Sequence, residues 1–261
     1  MVAIPMISLE NLNLSKYVCG TNQFVGISHN LDFFYSPYYH IKFRKPNRII
    51  EILTYLAGQG INAVISSPRE RIFNALESVE QETGIKIHWI CSPSKRKTIK
   101  GLEPDIFKQI DWCADHGVSV CMPHRSYTDV ALNPEKLTIE GLSPILEHIR
   151  DKKMIPGLSC HSHKVIQAVE KQNYDVKIIV QPLNQLGFES DIDPVSLIRI
   201  IQNTNISILN IKPLAAGRLD PHLALPYCLK SIKKNDLIAI GTPKLSYAKE
   251  IMSIFNNYYG T

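Results

Sequence analysis

Most features that announce a specialised class of protein are missing from this sequence. No apolar stretch approaches the length that spans a bilayer. The opening MVAIPMISLENLNLS lacks both a basic start and a long apolar segment ending at a small-residue cleavage site, so a cytoplasmic protein without membrane contact is expected. The six cysteines, at 19, 91, 113, 121, 160 and 228, form no CxxC pairing; this argues against a structural zinc site or a disulfide framework and for reduced thiols. The net charge of +5 is spread over short segments, densest at Lys95, Arg96 and Lys97, so no stripe for nucleic acid exists. Only a mild attraction for anionic metabolites follows. HExxH is absent, no HxH stands on the first candidate strand, and no carboxylate stands at the end of a candidate strand.

What is present has the balance of a globular protein, with 44% hydrophobic and 20% charged residues. No low-complexity segment or compositional break divides the chain, which predicts one domain over residues 1–261. Apolar extended runs alternate regularly with helical patterns. The predicted strands are Tyr17–Gly20, Ala63–Ser66, Ile87–Cys91, Val118–Met122, Ile155–Ser159, Ile178–Gln181, Ile206–Lys212 and Leu237–Gly241. Helical spacing covers Asn47–Gln59, Arg69–Thr83, Pro104–His116, Ile139–Lys152, His163–Gln172, Pro194–Asn203, His222–Lys234 and Ser246–Tyr258. Ile72, Leu76 and Val79 fall on one face of the second helix, as packing on a sheet requires. Eight β-then-α units describe an α/β fold of the (β/α)8 TIM-barrel type. Two connections are long, Asn22–Pro46 and Pro123–Thr138, and the first carries Phe33, Phe34, Tyr35, Tyr38 and Tyr39. These aromatics either cluster over one end of the barrel or touch substrate.

In such a barrel the C-terminal strand ends share one mouth, where chemistry collects. Polar groups there are Thr21 and Asn22, Ser66 and Ser67, His124 and Arg125, Ser159, Cys160 and His161, Gln181 and Asn184, Lys212, and Thr242. In GLSCHSHKV, Ser162 is a suitable helix N-cap, whereas His161 has no such structural explanation. His124 and His161 are candidate acid/base groups, and His29, His124 and His161 together would form a divalent-metal site with an open position. The segments KPLAAGRLD and IGTPKLSYA place Arg218 and Lys244 beside helix starts where barrels hold phosphate or another anion. Lys212 lies on an apolar strand; it is either a buried electrostatic or anion-binding group, or a desolvated amine that attacks a carbonyl.

With these residues assembled, LENLNLSKYVCGTNQF, GLSCHSHKVIQAVE, IIVQPLNQLG and NIKPLAAGRLDPHLALPYCL resemble the aldo-keto reductase superfamily, chiefly at residues 8–24 and 154–245. The resemblance implies a barrel preceded by a short N-terminal hairpin. It also implies NADPH contacts at Thr21, Ser159, Gln181, Lys212, Gly241 and Thr242, although Cys160 replaces the expected asparagine and no arginine follows Thr242. Of the family's aspartate, tyrosine, lysine and histidine, only His124 matches: Ile65 and Ser66 stand at the aspartate's place, and Lys95 lies in the loop rather than in its strand. A reductase would then need a replacement donor such as Tyr35, Tyr38 or Tyr39. Removing one positioned acid or base commonly lowers a rate by roughly 10²–10⁴. The sequence therefore favours non-redox acid/base or metal-assisted chemistry on a small anionic metabolite, that is, a lyase, isomerase or hydrolase. A carbonyl reductase using NADP and a non-catalytic binding barrel are the alternatives, and a second copy of the chain is an expected partner option.

Overall fold

A computed structural model describes residues 3–27, 35–94 and 105–260. An antiparallel hairpin, β1 (Met6–Leu9) and β2 (Leu12–Ser15), precedes a closed barrel of eight parallel strands. In chain order these are β3 (Tyr17–Gly20), β4 (Ala63–Ser66), β5 (His88–Cys91), β6 (Val120–Cys121), β9 (Ile155–Ser159), β10 (Ile178–Pro182), β11 (Ser207–Ile211) and β12 (Leu237–Gly241). Each pairs with its neighbour, and β12 closes on β3 through Ile238–Tyr17 to Gly241–Gly20. Every predicted strand exists, four of them to the residue.

Outside the barrel lie α2 (Asn47–Gly58), α3 (Glu70–Thr83), α4 (Ile106–Asp115), α6 (Leu142–Asp151), α7 (Lys164–Gln172), α8 (Pro194–Asn203), α9 (Pro221–Ser231) and α10 (Leu245–Tyr259). Their starts follow local chemistry. Asp193 and Asp220 accept backbone N–H bonds from Ser196 and His222, each with proline at the first helical position. Pro104, the first residue of the predicted helix Pro104–His116, lies outside the described residues, and Asp105 caps the helix that is seen.

Both long connections contain structure that helical periodicity did not reveal. The first holds α1 (Tyr35–Lys42), and the second folds into α5 (Arg125–Ala131) followed by a small hairpin of β7 (Leu132–Asn133) and β8 (Thr138–Ile139). Each element is at most eight residues long, too short for a clear 3.6-residue pattern. Tyr39, Phe43 and Phe24 form an aromatic cluster, with the Phe24 and Phe43 ring centroids 5.0 Å apart and both residues fully buried. Tyr38 is half exposed, and Phe33 and Phe34 lie outside the described residues.

The core has two layers. Val18, Ala63, Ile90, Val120, Ile178, Val180, Leu209 and Leu237 fill the barrel, and Ile7, Leu9 and Leu14 of the hairpin join them, so the hairpin plugs the floor. Arg150 donates to both Glu10 and Asp175, tying the hairpin turn to the barrel wall. Gly157 on β9 is required by close approach, because a Cβ there would meet Ile178 O and Met122 Cγ at 2.7 Å. With the floor plugged and the interior packed, the open end for chemistry is the C-terminal mouth.

Candidate active site

Sequence reasoning placed no carboxylate in the mouth; the structure places three. A cavity of about 400 Å³ is lined by Arg125, Asp129, His161, Ser162, Glu189, Ser190 and Asp191. Asp129 comes from α5, which the sequence read as loop, and Glu189 and Asp191 come from the connection after β10. The acidic run Glu189-Ser190-Asp191, closely following a strand, is the signal that would have found them.

Glu189 organises the centre. Its Oε2 forms an ion pair with Lys212 Nζ and lies 3.3 Å from His161 Nδ1. Both Glu189 and Lys212 adopt left-handed backbone, with φ of 60° and 58°. Such conformations cost non-glycine residues on the order of 1–3 kcal/mol each and persist where surrounding structure over-determines them. For Glu189, Asn184 braces the loop that precedes it: its Oδ1 accepts from the Leu186 and Phe188 N–H groups and its Nδ2 donates to Phe188 O. The Phe188 ring then receives the Arg218 guanidinium at 4.4 Å and Lys212 Nζ at 5.8 Å.

The turn after β9 is held by the other two carboxylates. Asp129 accepts from His161 N at 3.1 and 3.2 Å; Asp191 accepts from His163 N at 3.0 Å and from Ser162 Oγ at 2.6 Å. The expected Ser162 cap is therefore corrected: His163 occupies the cap position, Lys164 N reaches Ser162 Oγ only at 3.4 Å, and the turn's N–H groups go to carboxylates. Burial raises the Asp129 carboxyl above its ordinary range, against the lowering effect of the His161 and Ser162 N–H groups. Burial also opposes ionisation of Asp191, but the bonds from Ser162 and His163 hold it low.

His161 is brought to about pKa 3, first by burial and then by the nearby Lys212, Arg125 and His124, with Glu189 opposing. At neutral pH it is a neutral imidazole. Lys212 is lowered by burial and by Arg125, again with Glu189 opposing. His124 caps α5: its Nδ1 accepts from Ser126 N at 3.1 Å, which leaves the ring proton of the neutral form on Nε2. The structure thus brings His161, Lys212 and Arg125, from the segments that follow β9, β11 and β6, around a glutamate the sequence reading lacked, with His124 near enough to act electrostatically on His161.

The predicted metal trio fares differently. His29 lies outside the described residues, and among those described no group of three or more His, Cys, Asp or Glu residues is placed to hold a metal ion. Arg125 and Lys212 beside His161 further oppose a dication there.

Most residues implied for a nicotinamide cofactor are engaged with other parts of the barrel. Gln181 Nε2 donates to His161 O, and its Oε1 accepts from the Cys160 thiol at 3.2 Å; both side chains are fully buried. Thr242 Oγ1 lies 2.7 Å from Tyr17 Oη, and Thr21 Oγ1 donates to Ile65 O. Ser159 is buried at the end of β9. Gly241 is covered by Gln23, whose Oε1 would lie 2.6 Å from an added Cβ and has no hydrogen-bond partner among the described residues. These residues do not fit a nicotinamide ring. Arg218 and Lys244 are exposed outside the cavity lining; Arg218 also donates to Ala215 O, and Lys42, which bonds Pro243 O, adds a cation near Lys244.

Among the described residues no helix is long and apolar enough to cross a membrane. No family model and no curated protein matches the chain. Solved structures do match. PA4992 of Pseudomonas aeruginosa, provisionally named an aldo-keto reductase, is 12% identical, covers 98% of this chain and 96% of its own, and gives a TM-score of 0.69. A provisionally named 2,5-diketo-D-gluconic acid reductase B is 13% identical over 97% of this chain and 86% of its own, with a TM-score of 0.64. A Gox0644 variant in complex with NADPH is 11% identical over 97% and 89%, with a TM-score of 0.61. At these identities the likeness concerns architecture: the chain folds as a (β/α)8 barrel of the form seen in the aldo-keto reductases.

Proposed function

We propose that this protein is a cytoplasmic enzyme that moves a proton on a small anionic carbonyl metabolite without redox chemistry, as a lyase or isomerase does. The reading rests on one observation, the Lys212–Glu189–His161 cluster held by left-handed backbone at a cavity of about 400 Å³. Arg125, exposed at the rim, attracts the anionic group. Glu189 is the group placed to take and return a proton, and cationic Lys212 favours the oxyanion that develops when a proton leaves the carbon beside a carbonyl. Neutral His161 supplies a hydrogen bond without adding charge.

Deuterium exchange tests this. In D2O the protein should replace the methyl protons of pyruvate, or the carbon-bound protons of dihydroxyacetone phosphate, faster than buffer, and Glu189→Gln should remove the acceleration. Exchange that is equal in the wild type and the variant overturns the reading.

The fold likeness to an NADPH-bound protein and the Lys42–Lys244 pair near α10 favour a second reading, a carbonyl reductase with a rebuilt site. It requires Gln23 to leave Gly241. Saturable NADPH binding followed by substrate-dependent loss of its absorbance would establish it. The binding-barrel alternative predicts that neither assay responds and that His124→Ala with His161→Ala leaves the cellular role intact.

A further inference from the structure

Two lysines are deeply placed among the described residues, and their surroundings differ in kind. Lys16 directs Nζ to the carbonyl oxygens of Lys233, Lys234 and Asp236, which defines a structural cap. Lys212 faces a carboxylate able to accept its proton, beside a neutral imidazole, with side-chain exposures of 12% for Lys212, 24% for Glu189 and 14% for His161. Glu189 is the member of the pair that lines the cavity. Its charge is what holds it over the amine, so transfer of one proton from Lys212 to Glu189 both frees a nucleophile and dissolves the attraction covering it.

We propose that Lys212 forms an iminium with the carbonyl carbon of a small anionic aldehyde or ketone. This deepens the proposed function and rests on its placing of such a compound in the cavity. The ammonium proton passes to Glu189; the amine lone pair forms the C–N bond as the carbonyl π pair moves to oxygen. Protons then reach that oxygen, first from the attacking nitrogen and then from Glu189, and the C–O bond breaks as water leaves. Ammonium and carbonyl become iminium and water, with no oxidant or reductant. The iminium is a stronger electron sink than the parent carbonyl, which suits removal of a proton, or of a carbon substituent, from the adjacent carbon.

Glyoxylate is the probe, because a cavity that admits any anionic carbonyl compound admits this small one. Whole protein is incubated with glyoxylate and cyanoborohydride, digested and mapped by mass spectrometry. Lys212 should gain one carboxymethyl group about tenfold faster than exposed Lys136, with a pH midpoint below that of surface lysines. Lys212→Arg should abolish labelling there while keeping the cation. Labelling of Lys212 no faster than Lys136 overturns the proposal, using wild-type protein alone. If Lys212→Arg exchanges pyruvate protons at the wild-type rate, the covalent step fails and the proton-transfer reading stands; if Lys212 labels selectively but the wild type exchanges nothing, the reverse holds.

Discussion

The two sides of the barrel mouth use polar residues in opposite ways. On the side of β12, β3 and β4, hydroxyls close on protein: Thr242 on Tyr17, Thr21 on Ile65 O, and Ser66 on the Trp89 indole N–H at 2.7 Å. On the side of β6, β9, β10 and β11, Arg125, Asp129, Glu189 and Asp191 surround a cavity, and strained backbone supports the central ion pair. Charged groups kept beside open volume at a conformational cost are the mark of a working site; buried hydroxyls with internal partners are the mark of a wall. In the family this sequence resembles, the implied nicotinamide contacts fall on both sides, Thr21, Gly241 and Thr242 on the first and Ser159, Gln181 and Lys212 on the second. Here the second side holds the groups able to move protons.

The sharpest way to break this comparison is to mutate both sides and assay proton exchange. Glu189→Gln or Lys212→Met should lower kcat/KM by about 10²–10⁴, whereas Thr21→Val should leave it within a few-fold; equal losses would erase the distinction. A smaller effect, on stability, is expected from Thr242→Val. It strips a partner from the fully buried Tyr17 hydroxyl and should cost about 1–3 kcal/mol in urea denaturation without changing turnover of folded protein.

The pH dependence of stability sharpens the contrast further. His161 titrates near 3 when folded against 6.5 for a free imidazole, so the unfolded chain binds a proton first as pH falls. Its contribution is whole above pH 6.5 and declines toward pH 3. Replacing His161 with Gln should flatten the fall of Tm across that window, read by thermal denaturation at stepped pH, while Thr21→Val should not. The smallest effect belongs to Arg218→Ala: the lost contact with Phe188 at 4.4 Å is worth about 0.5–1 kcal/mol at an exposed site. A modest rise in KM for an anionic substrate is the expected reading.

Much of the barrel could be read from the chain because its strands and helices are local and periodic. Tyr17–Gly20, Ala63–Ser66, Ile155–Ser159 and Leu237–Gly241 are bounded as expected. The histidines that follow the fourth and fifth strands were legible by position; Lys212 was expected on the seventh strand, but that strand ends at Ile211 and Lys212 follows it in left-handed backbone. Asp129 was not, because the seven residues of α5 are set by the His124 cap and tertiary packing rather than by a repeat. Glu189 was hidden for another reason: its loop conformation depends on Asn184 bonds at 2.9–3.2 Å, and no spacing rule encodes where such a loop turns its carboxylate. The resemblance also directed attention to Thr21, Gln181 and Thr242, whose side chains the fold had already engaged.

One NMR experiment tests the division of the mouth most directly. The protein is incubated in protonated water with pyruvate deuterated at its methyl group and NADPH deuterated at its transferable position. The account predicts that solvent protium enters the methyl carbon while NADPH persists unchanged. Deuterium arriving at the carbonyl carbon, with the methyl group still fully deuterated, would contradict it.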